Sequence, residues 1–171
     1  MTTYTPLPIG PAALAALRDR DDAGRPCRPY TDEEGGAPLR CCLRLSEQGE
    51  RIALVSYAPL RRWAAETGAD PGAYDEQGPL FIHAADCGGP APAPDAAPDA
   101  AWPFARPGAL RTARRYGAAG HILGGRVLDL GPDPSAALET ALAEAFADPA
   151  VALVHLRAAE FGCFLFEVRR P

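Results

Sequence analysis

The segment that most restricts the fold runs over residues 131–168. Asp133 stands at an N-cap with Pro134 at the first helical position, and Leu138, Leu142 and Phe146 recur every fourth residue. That spacing predicts a helix over 134–147 with one core-facing stripe. Asp148-Pro149 ends it, because proline cannot continue the backbone ladder. Residues 151–157 and 162–169 then read as strands joined by a tight connection. The second alternates Phe164, Phe166 and Val168 against Cys163, Leu165 and Glu167. A capped helix followed by two strands points to an α+β fold.

Upstream, residues 11–18 and 60–66 have the composition of short helices, and 39–45, 51–57, 78–84, 109–116 and 121–130 read as strands. The first two of these strands are expected to form a hairpin through 46–50. The whole predicts a single globular domain over 1–171. Its antiparallel-rich mixed sheet has six or seven strands, packed by two or three helices. The stretch 88–101, rich in proline, alanine and aspartate, reads as a flexible insertion within that domain.

Composition removes several chemistries. All 17 basic residues are arginine, and the chain has no lysine and no asparagine. It therefore cannot form a lysine Schiff base, present a Walker lysine, or build a Ser–Lys dyad or a Cys-His-Asn triad. A net charge of −5 argues against nucleic acid or an anionic membrane as partner. The five cysteines are odd in number and form no CxxC pair, which fits reduced thiols in a cytoplasmic protein. The N-terminus has neither the basic start nor the apolar stretch of a secretory leader, and no apolar run reaches the length of a membrane span. Gly-rich nucleotide loops, GxSxG and HExxH are missing as well, so no cofactor is expected.

Three ordered signals carry a family resemblance: Pro26-Cys27-Arg28, the stretch YDEQGPLFIH over 74–83, and AFADPAVALVHLRAAEFGCFLFEV over 145–168. Together they resemble a bacterial family known as domain of unknown function 1203, across residues 26–169. The chain departs from the family pattern between Tyr57 and Tyr74 and after Cys87. The resemblance implies no activity, so function has to be argued from side chains.

Four residues are candidate catalytic groups. His155 shares a strand face with Arg157 and suits acid/base work or anion binding. Cys163 follows Gly162 across a short connection, where antiparallel pairing would bring its thiol near His155. Cys27 lies in a rigid element between two prolines, and His83 ends its strand shortly before Asp86-Cys87. That last trio has metal-ligand character, but no further ligand is evident in the sequence and no metal is assigned. His121 reads as an exposed strand start. Arg28, Arg111 and Arg115 are candidate anion ligands, with Tyr57 and Tyr74 as pocket walls. These residues suit a small cofactor-independent enzyme acting on an anionic small molecule by acid/base or thiol chemistry. The alternative readings are a non-catalytic binding or interaction module, or a structural homo-oligomer joined through sheet edges. The enzyme reading requires Arg28, His83, Arg111 and His155 to converge.

Overall fold

Local signals decide where the helices begin and end. A computed structural model describes residues 4–91 and 102–171, so most of the 88–101 insertion lies outside the described residues. Helices α1 (Pro11–Asp19), α2 (Pro59–Thr67) and α3 (Pro134–Ala147) each carry proline in the first turn, where its missing N–H costs no hydrogen bond. The Asp133 side chain caps α3 by accepting the Ala136 N–H at 3.0 Å. Gly68 closes α2 in the left-handed conformation, its N–H bonding the Ala64 carbonyl at 2.8 Å.

The architecture is α+β, but the strands form two sheets rather than one of six or seven strands. The first contains β1 (Tyr30–Thr31), β2 (Pro38–Leu39), β3 (Arg44–Leu45), β4 (Arg51–Tyr57) and β5 (Gly78–His83), in the order β1-β4-β5-β2-β3. Only β2 and β5 run parallel in it. The second contains β6 (Leu110–Gly117), β7 (Ile122–Asp129), β8 (Val151–Ala158) and β9 (Phe164–Arg169), antiparallel throughout in the order β7-β6-β8-β9.

The expected strand over 39–45 is broken by a turn at 40–43. Leu39, Arg40, Cys41 and Cys42 are all buried. Four consecutive buried side chains conflict with the two-faced alternation of a strand at a sheet edge. A turn folded inward accommodates them, closed by the Leu43 N–H on the Leu39 carbonyl at 2.9 Å. The expected hairpin with 51–57 is therefore absent. Instead β4 pairs with β1 and β5, in a register running from Ile52↔His83 to Tyr57↔Gly78.

Helix α3 covers one face of the second sheet, where Leu138, Leu142 and Phe146 pack with Val154, Leu156, Phe166 and Val168. By the alternation of β8, Leu153, His155 and Arg157 face the other way. On that side Tyr116 and Leu153 meet Leu60 and Trp63 of α2. Phe164, although it opens β9, belongs to the first sheet's core with Ile52, Val55, Leu80, Ile82 and the α1 residues Leu14 and Leu17. Its carbonyl accepts the Nε–H of buried Arg40 at 2.8 Å, and the Leu7 N–H bonds the Glu167 carbonyl at 2.8 Å. No helix among the described residues is long and apolar enough to cross a membrane.

Candidate functional site

A cavity of about 530 Å³ opens beside the end of β8, on its face turned away from α3, bounded by Tyr57, Glu76, Arg114, Arg157, Phe161 and Cys163 among others. Its volume lies in the range of small-molecule sites. Each wall residue is placed by a local device. Arg157 is on β8 just before the turn that leads to β9. There Gly162 adopts φ +70, a conformation that favours glycine. The Gly162 N–H bonds the Ala158 carbonyl at 2.9 Å, and the Ala158 N–H bonds the Cys163 carbonyl at 3.0 Å. Arg157 seals this turn by donating from Nη1 to the Gly162 carbonyl at 2.9 Å. Glu76 precedes β5 in a segment fixed by its own N–H on the Tyr74 carbonyl at 2.8 Å. Asp75, next to it, pairs with Arg61 of α2 at 3.1 Å.

The electrostatic centre is one carboxylate oxygen. Arg114 Nη1 and Arg157 Nη2, from neighbouring strands, both donate to Glu76 Oε1 at 2.5 Å. Arg157 is buried, whereas Glu76 is 43% exposed in its side chain. Burial pulls the Arg157 pKa down, and the Glu76 charge opposes this. Its Nε is also buried and has no hydrogen-bond partner among the described residues. Two guanidiniums against one carboxylate leave the wall positive. Tyr57 closes the opposite side, its ring 5.6 Å from that of Phe164. Burial, with Glu167 and Asp22 nearby, pushes its phenol pKa up, so the hydroxyl stays neutral. Cys163 is half-buried, with Sγ 3.9 Å from the Phe161 carbonyl, and Phe161 itself is 88% exposed at the rim.

Of the candidate residues, Tyr57 and Cys163 meet in this cleft. His155 does not. It is fully buried between Tyr116, at 4.6 Å between ring centroids, and Phe164, at 5.1 Å. Neither ring nitrogen makes a hydrogen bond among the described residues, and a Glu167 carboxylate oxygen is 3.6 Å from Nε2. Burial therefore depresses the His155 pKa despite that carboxylate. Burial pushes Glu167 the other way, but His155 and Arg169 outweigh it and hold the carboxyl below its usual range. The strand register explains why Cys163 misses His155: residue 155 pairs with Glu167.

The remaining candidates scatter. Arg111 is buried, donating to the Leu110 and Phe104 carbonyls at 2.7 Å each. Arg115 lines a separate hollow against α3 with Glu144 and Arg126. Arg28 is exposed. Cys27 packs half-buried against the first sheet's core, where burial and then Asp21 raise its thiol pKa. Tyr74 is exposed and stacks obliquely on His121 at 5.5 Å. His83 lies with Cys41, Cys42 and Cys87. The convergence of Arg28, His83, Arg111 and His155 thus does not occur. The arginines that do converge are Arg114 and Arg157. Alternation along β8 put Arg157 on the face of His155, but nothing in the sequence singled out Glu76.

Residues 36–170 match the family described as protein of unknown function (DUF1203). The chain belongs to that family. The DUF1203 span includes Glu76, Arg114, Arg157 and Cys163, and leaves out Cys27 and Arg28. No curated protein and no solved structure matches the chain.

Proposed function

We propose that this DUF1203 chain binds a small anionic molecule, carboxylate-bearing in the first instance, in the cleft between Tyr57 and Arg157. The observation that carries this reading is the convergence of Arg114 and Arg157 on a single carboxylate oxygen of Glu76 at the cavity wall. Glu76 marks where an anion sits, and a ligand carboxylate would compete with it for the Arg114 and Arg157 guanidiniums. Charge-assisted bonds of this kind contribute about 1.5–3 kcal/mol each, enough to select anions. The cavity volume supports a metabolite-sized ligand rather than a macromolecule. Five cysteines without a disulfide support a reducing, cytoplasmic setting.

An enzymatic form of this reading rests on Cys163, whose thiol shares the cleft. Against it, no histidine among the described residues is hydrogen-bonded to that thiol, and His155 is sealed in the core. Binding without catalysis is accordingly the reading we prefer.

Chemical rescue tests it. Glu76→Ala removes the protein's own carboxylate and leaves both guanidiniums uncompensated, so the variant should melt lower than wild type. Acetate, which copies the missing carboxylate, should raise its melting temperature in a saturable way and leave wild type nearly unmoved. Adding Arg157→Leu to Glu76→Ala should weaken acetate binding about tenfold or more. An acetate response no larger in Glu76→Ala than in wild type would sink the proposal.

A further inference from the structure

Cys41 and Cys42, in the turn between β2 and β3, face His83 at the end of β5, with Cys87 four residues further on. Their ligating atoms all lie within 4.8 Å of one another; three of the residues are buried and Cys87 is half-buried. We propose that these four side chains form a closed tetrahedral site for Zn²⁺.

The distances between donors carry the argument. With Zn–S near 2.3 Å and Zn–N near 2.0–2.1 Å, a tetrahedron has S···S edges of about 3.8 Å and S···N edges of about 3.6 Å. Here Cys41 Sγ and Cys42 Sγ are 3.9 Å apart, and they lie 3.3 and 3.7 Å from His83 Nδ1. Simple hydrogen bonding does not require this pattern, because one imidazole lone pair accepts from one thiol. Three soft sulfur donors with one imidazole select Zn²⁺ over the hard cations.

The surroundings set the ligand states. His83 Nε2 lies 3.3 Å from Glu50 Oε1, and Arg44 holds that carboxylate with bonds of 2.6 and 3.0 Å. Arg44 Nη2 lies equally near Nε2, at 3.3 Å; in the tautomer that donates Nε2–H to Glu50, the Nδ1 lone pair is turned toward the sulfurs, the arrangement of a carboxylate–histidine–zinc triad. The His83 backbone N–H donates to Cys41 Sγ at 3.2 Å, which suits a metal-bound thiolate. In an extended strand adjacent cysteines would point to opposite faces; the turn lets both reach His83. Leu43 closes that turn at φ +57, a left-handed conformation that residues with a side chain rarely adopt.

With all four ligands from the protein, the site is structural rather than catalytic. It joins elements that the sheet holds weakly. Strands β2 and β3 share two residue pairs, and β2 meets β5 at Leu39↔Phe81 alone.

The test uses the full chain, stripped of metal by a chelator under reducing conditions and titrated with Co²⁺ as a spectroscopic probe. One equivalent should produce intense tetrahedral ligand-field bands in the red and thiolate-to-cobalt charge transfer in the near ultraviolet. One equivalent of Zn²⁺ should bleach both. Cys42→Ser should weaken the charge-transfer band, and so should Cys87→Ser, whose half-buried position spares the core if the first variant fails to fold. Cys27→Ser and Cys163→Ser should leave it unchanged. A weak octahedral cobalt spectrum in wild type, or a full-strength band in Cys87→Ser, overturns the site.

Discussion

Replacing His155 by leucine should remove an acid-sensitive component of stability. The ring lies wholly inside the protein, against Tyr116 of β6 and Phe164 of β9. The charged groups that bear on it are Glu167, Arg157 and Glu76. Burial dominates and lowers the pKa below the ordinary 6.5. The unfolded chain therefore binds a proton that the folded one refuses. The stability this histidine leaves intact is full above about pH 6.5 and is lost as pH falls from there toward the folded value. At pH 5.5 the loss has an upper limit of about 1.4 kcal/mol, from one proton taken up by an unfolded histidine of pKa 6.5. For a chain of this length that is a fall of about 3–6 °C in melting temperature. Carboxylates such as Glu167 lose their contribution at lower pH, so they barely enter this window. Thermal melts of wild type and His155→Leu at pH 7.5 and 5.5 measure the difference directly. Wild type should drop by several degrees more than the variant; equal drops would refute the burial argument.

Two further substitutions probe the scaffold. Leu142→Ala, at a site 1% exposed beneath the second sheet, should cost about 2–5 kcal/mol in denaturant unfolding. Asp133→Ala should cost about 0.5–2 kcal/mol through loss of the α3 cap, with Asp133→Asn retaining most of it.

The parts of this fold legible in the sequence are those set by near neighbours. Helix α3 announces itself through Asp133, Pro134 and the Leu138, Leu142, Phe146 stripe, and β8 and β9 follow from short apolar patterns. The division into two sheets is not local. It depends on which strand edges meet, and 39–45 misled because Cys41-Cys42 looks like strand interior while it packs as a turn. The cleft is harder still. Arg114 and Arg157 lie 38 and 81 residues from Glu76, and ordinary surface pairs look the same in sequence. A search for spaced cysteine pairs likewise passes over two adjacent cysteines whose imidazole is 42 and 41 residues away.

Phe164 has a consequence for the order in which the molecule can assemble. It fills the core of a sheet whose own strands end at His83, and its carbonyl receives Arg40 from 124 positions earlier. During synthesis the ribosome delivers β1 through β5 long before β9. Until residue 164 emerges, the first sheet lacks one wall of its interior and Arg40 lacks its main-chain acceptor there. Closure of the first sheet's interior thus waits on a strand made well after its own, a long-range contact of the kind that slows folding.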